Sequence, residues 1–230
     1  MNITQKTLAA CAALILVPAS GAFAQENAPG GPWEYSVSVS PFLGWGQKKL
    51  FSDDLDKLDI AGIGVKGSAV IRESILPGAK LFPEIFGLVN IGGGSLDQTW
   101  YGYGAREERN YDLTTMQATV GANLRLEIND RVSVFGGVRV GLAYENLEVE
   151  SRYVAYGYGS YSNSWEEADV GINYGVGFGA DVRINDHSGV TVALDYVGST
   201  AQPEFNDSGE TFEAEKQSYI MLSVGYKYTF

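Results

Sequence analysis

From Ser218 to Phe230 apolar and polar positions alternate without a break. Ile220, Leu222, Val224, Tyr226, Tyr228 and Phe230 take every second place, with Tyr219, Met221, Ser223, Gly225, Lys227 and Thr229 between them. A period of two is the mark of a β-strand with one apolar and one mostly polar face. Aromatics crowd the end of the apolar face, which suits a strand that meets lipid and sets its rings at the membrane–water boundary.

Seven further segments carry the same pattern. Apolar positions recur over 33–45, 61–71, 116–126, 132–144, 170–182 and 190–196. Segment 80–91 is less regular, because Phe82, Phe86 and Leu88 oppose Ile85, Val89 and Ile91. With the last strand these make eight. Short links (Glu73 to Ala79, Asn129-Asp130, and Asn185 to Gly189) alternate with long polar stretches near 47–58, 92–112, 147–168 and 198–216. In an up-and-down barrel that order puts the short turns at one end and the long loops at the other.

The polar face is rich in Gly, Ser, Thr and Asn with isolated charges, which fits the narrow interior of about eight strands. Trp33, Tyr35, Trp45, Tyr144, Tyr196, Tyr226 and Tyr228 sit near the ends of the apolar face, as interfacial belts do. The pattern therefore predicts an all-β fold: an eight-stranded antiparallel up-and-down transmembrane β-barrel with its apolar face outward. Ten strands result if 92–112 hides a hairpin.

The N-terminal segment adds a destination. Lys6, the apolar run Leu8 to Val17 and the small-x-small site Ala22-Phe23-Ala24 read as a secretory signal peptide over 1–24, leaving a barrel domain over 25–230. A lipoprotein reading at Cys11 leaves too short an apolar region before the cysteine. Cleavage after Ala24 removes Cys11 and with it any disulfide or thiol chemistry. It also removes Lys6 and no acid, so 15 basic residues face 28 acidic ones, a net charge of −13. Such a balance disfavours nucleic acid. A mean hydropathy near zero excludes a helical membrane protein but not a barrel, whose strands are half apolar.

On these residues the chain resembles the small outer-membrane β-barrel proteins, among them the OmpA transmembrane domain and OmpX. The terminal strand, above all Leu222, Val224, Tyr226, Tyr228 and Phe230, looks like the signal read by the barrel-assembly machinery. The resemblance implies a bacterial outer-membrane location in contact with lipid and lipopolysaccharide, periplasmic termini and short turns, and extracellular long loops. It does not extend to the peptidoglycan-binding domain that follows many OmpA-like barrels.

Candidate chemistry falls in two places. The polar face carries Lys66, Arg72, Arg125, Glu127, Arg139, Glu145, Asp169, Asp181, Arg183, Asp195 and Lys227, with Glu34 and Glu84 beside them. Confined charges need partners, so these read as an ion-pair network plugging the lumen; a gated pore is the alternative. The glycines opposite Val170 to Val182 leave open whether the interior is filled. The long loops hold Trp100, Tyr101, Tyr103, Tyr153, Tyr156, Tyr158, Tyr161 and Trp165 among Gly and Ser, a composition suited to recognising a glycan or protein, or to packing as an extended sheet.

The single histidine, His187, excludes a multi-histidine metal site and lies with Ser188 in a predicted turn, not in a catalytic arrangement. The acidic loop 198–216 matches no ordered calcium loop. The sequence thus points to a protein without cofactor or enzymatic role, serving envelope integrity and surface adhesion, or alternatively forming a narrow channel.

Overall fold

The computed structural model describes residues 31–50, 57–102, 104–157, 159–207 and 210–230. The expected signal peptide, Tyr103 and Tyr158 lie outside these residues. The described chain is built on a closed ring of antiparallel strands in the order β1-β10-β7-β6-β5-β4-β3-β2. The members are β1 (Trp33–Gly46), β2 (Ile60–Ile71), β3 (Leu81–Gly102), β4 (Ala105–Glu127), β5 (Val132–Ala155), β6 (Gly159–Arg183), β7 (Ser188–Ser199) and β10 (Ser218–Thr229). Two short strands, β8 (Glu204–Asp207) and β9 (Glu210–Glu213), pair only with each other. The terminal strand closes the ring on β1, from Ser36↔Thr229 to Gly46↔Tyr219.

Segment 92–112 does hold a hairpin, yet it adds no strand to the ring. It continues β3 and β4 upward to the pair Gly102↔Ala105. Segment 147–168 likewise continues β5 and β6 to Ala155↔Gly159. These two stretches, expected as loops, are therefore a four-stranded sheet standing on the barrel wall. Aromatic and β-branched residues there favour strands, and register carried up from the barrel keeps them paired.

Alternation decides which face goes where, and its phase reverses along the strands. On β4 the outward residues from Leu126 to Met116 are apolar, while Arg125, Asn123, Thr119 and Gln117 point inward and are buried. Beyond Thr115 the faces exchange character: Leu113 and Tyr111 turn inward and are buried, and Asp112 turns outward. On β5 the exchange falls after Tyr144, with Leu147 and Val149 inside and Glu148 and Glu150 outside. The outward apolar run on β4 covers ten residue steps, about 33 Å along a strand and about 25 Å once tilted, the height of a bilayer's apolar band.

Exposed side chains confirm the belt as apolar: Val120 and Val138 are each 63% accessible and Phe178 64%. So large a continuous apolar surface marks a membrane-facing wall. Segment 80–91, irregular in sequence, resolves here. Ile85 and Ile91 face outward, whereas Phe82, Glu84 and Asn90 face the lumen.

Candidate functional site

The lumen is stacked in layers. At the end carrying the short turns, Arg72 is paired with both Glu34 and Glu127, and Arg183 approaches Glu34 at 3.7 Å. Above them lies the central network. Arg125 of β4 reaches Glu84 at 2.9 Å and also contacts Asp181, which Lys227 meets at 2.6 Å. Lys66 takes the other oxygen of Glu84 at 2.8 Å. Glu84, in sequence just one more charge on the polar face, is the hub that joins three strands.

Rings complete this layer. The Lys66 ammonium stands 4.5 Å from the Phe86 centroid and 4.9 Å from that of Phe135, with Arg125 on Phe135 at 5.4 Å. Ring faces attract cations, the more so when desolvated. The glycines opposite make the room: a Cβ on Gly121 would lie 2.4 Å from Phe86, and one on Gly179 2.5 Å from Phe135. On Gly177 it would lie 1.9 Å from Asp195 Oδ1. At Gly177 and Gly179 of β6 the space is thus occupied by neighbouring side chains, and at Gly171 by the Thr200–Ala201 backbone.

Further along, Arg139 pairs with Asp195 at 3.7 Å beside a cavity of about 70 Å³. Nearer the long hairpins the lumen turns apolar. Phe42, Leu50, Leu58, Ile60, Leu113, Leu147, Phe205 and Met221 belong to one buried cluster that fills the mouth. Phe205 comes from β8 and Leu50 from the β1–β2 connection, which is tied to the β9–β10 connection by the Glu215 amide donating to the Leu50 carbonyl at 2.8 Å. Two of the expected network members stand apart from it. Glu145 is buried with Oε1 unpartnered, and Asp169 accepts from the Gln202 amide at 2.7 Å.

Above the mouth, the hairpin sheet sorts the aromatic candidates by face. Directly paired residues share a face, and Trp100↔Glu107, Glu107↔Tyr153 and Tyr153↔Tyr161 run as one row across β3 to β6. The next row on that face, Gln98–Arg109–Ser151–Asn163, is polar; the one below, Leu96–Tyr111–Val149–Trp165, is apolar and joins the plug. Arg109 lies 5.2 Å from the Trp100 ring and donates to Glu107 at 2.6 Å. Burial pushes the Tyr111 hydroxyl above its usual pKa. Tyr101 occupies the opposite face, 74% exposed, with Arg106 at 5.9 Å. Tyr156 sits in the β5–β6 turn.

His187 is exposed in its turn, with Nδ1 at 3.0 Å from the Thr229 carbonyl and its ring stacked on Tyr228. Among the described residues no group of acidic, Cys or His side chains is placed to hold a metal.

The architecture is that of the small outer-membrane barrels the sequence resembles. No protein-family model and no curated protein matches the chain. Among similar solved structures is the attachment invasion locus protein Ail of Yersinia pestis in complex with the heparin analogue sucrose octasulfate, at 13% identity and TM-score 0.46, covering 87% of this chain and 100% of that one. Neisserial surface protein A aligns at 13% identity and TM-score 0.45 over 85% and 97% of the two chains. OprG of Pseudomonas aeruginosa aligns at 12% identity and TM-score 0.43 over 87% and 98%.

Proposed function

We propose that the protein is a non-enzymatic outer-membrane barrel with a plugged lumen, whose hairpin sheet is an extracellular recognition surface. The reading has the termini and short turns in the periplasm, with β10 serving as the assembly signal and the wall meeting lipid and lipopolysaccharide. The observation that carries it is the row Trp100–Glu107–Tyr153–Tyr161 on a sheet beyond the apolar belt. Trp100, Tyr153 and Tyr161 are 36%, 45% and 66% exposed, so rigid aromatic area stands open beside a row of amide, hydroxyl and guanidinium groups. That combination is the one polar recognition surfaces use.

Charge narrows the partner. Segments 97–112 and 145–169 hold ten acidic residues and three arginines. A sulfated polyanion would meet like charge there, so an uncharged glycan or a basic protein segment is the better match. The competing reading is a narrow channel, and the cavity beside Arg139 is the observation in its favour. Ion pairs on one side and the apolar mouth on the other argue against it.

The test is binding by folded protein to a glycan array and to a panel of surface proteins. The combined variant Trp100→Ala, Tyr153→Ala, Tyr161→Ala should lose binding about tenfold or more while keeping the heat-modifiable gel mobility of a folded barrel. Undiminished binding by the folded variant would remove this surface from the account.

A further inference from the structure

We propose that the mid-lumen cavity is a binding site for one small monovalent anion of halide size. Ser38, Ser40, Asn90, Lys66, Arg139 and Asp195 are among its lining residues, and its volume of about 70 Å³ exceeds what one water needs. The hydroxyl and amide groups offer donors to a guest. Arg139 is only 8% exposed, and its contact with Asp195 at 3.7 Å is a loose one. Its Nε and Nη2 have no hydrogen-bond partner.

The charge balance asks for an anion more than for water. Among the described residues the central network sets four cations, Lys66, Arg125, Arg139 and Lys227, against three carboxylates, Glu84, Asp181 and Asp195. Both Glu84 and Asp181 are already shared between two cations. The Arg72 layer below is balanced, with Arg72 and Arg183 facing Glu34 and Glu127. Glu145 makes no ion pair with this network and does not line the cavity, whose own charged lining residues are the cations Lys66 and Arg139 and the carboxylate Asp195. A surplus positive charge held away from water is costly, and a small anion between Lys66 and Arg139 would neutralise it. The site stands whether or not the hairpin sheet binds a ligand.

Bromide is the probe. Crystals of the folded barrel grown in bromide should show an anomalous peak in the cavity, and the unfolding midpoint should be higher in bromide than in gluconate at matched ionic strength. Ala193→Leu fills the cavity without removing a charge, and it should abolish both the peak and the salt difference. Arg139→Gln should do the same, with Ala193→Leu deciding the matter if that variant does not fold. Water alone in the cavity, with equal midpoints in the two salts, would overturn the proposal.

Discussion

Glu84 of β3 and Arg125 of β4 meet at 2.9 Å with almost no solvent on either side chain, 0% and 6% accessible. Their contact organises the lumen, because Arg125 also holds Asp181 while Glu84 also holds Lys66. Removing one member of a buried set leaves its partners charged and unmatched, which costs about 3–5 kcal/mol. Glu84→Ala should therefore lower the unfolding free energy by about that much, measured by urea titration of the barrel in lipid vesicles. A loss under about 1 kcal/mol would mean that the network is solvated and not a plug.

The glycines of β6 bear on the same question from the packing side. Gly177→Ala places a methyl group against the Asp195 carboxylate, 1.9 Å from Oδ1 at ideal geometry. Overpacking of this kind costs about 1–3 kcal/mol. Gly67 has nothing within 4 Å of an added Cβ, so Gly67→Ala should leave the midpoint nearly unchanged. Equal effects of the two substitutions would show that lumen glycines are not there to seat side chains.

How far the sequence went is visible along β4 and β5. Six outward apolar residues from Leu126 to Met116 announce the strand, its lipid face and, with the neighbouring segments, the ring of eight. The continuation past Thr115 reads as loop, because the eye follows one parity while Leu113, Tyr111, Leu147 and Val149 have moved to the other. That phase reversal is itself a sequence signal: it marks where lipid gives way to water outside and the lumen becomes dry inside. The hub role of Glu84 was out of reach, since the shear of the ring decides which charges on different strands stand at one height. The aromatic row was hidden likewise, for Trp100 and Tyr161 fall into one row only through the register of β4 and β5.

The reversal makes a depth prediction. Val120→Arg puts a charge in the middle of the apolar belt and should cost about 2–4 kcal/mol. Glu148→Arg, outward beyond the boundary on β5, should change stability by less than about 0.5 kcal/mol. Urea titrations in vesicles compare them directly, and similar costs at both positions would misplace the membrane boundary.

The apolar mouth has its own test. Leu147 is fully buried within it, so Leu147→Ala should cost about 2–5 kcal/mol. Leu142, five residues earlier on β5, faces lipid and is 54% exposed, and should lose less on the same truncation. If Leu142→Ala proved the more damaging, the mouth would not be packed as described.

Whether the lumen is closed is the claim on which the rest depends, and single-channel recording on folded residues 25–230 in a planar bilayer addresses it most directly. A silent membrane containing verified folded protein is the expected result, and Arg139→Ala should stay silent because the Glu84 network and the apolar mouth remain. Reproducible unit conductance steps from the unmodified protein, shifted by Arg139→Ala or Asp195→Ala, would contradict the plugged barrel and make it a pore.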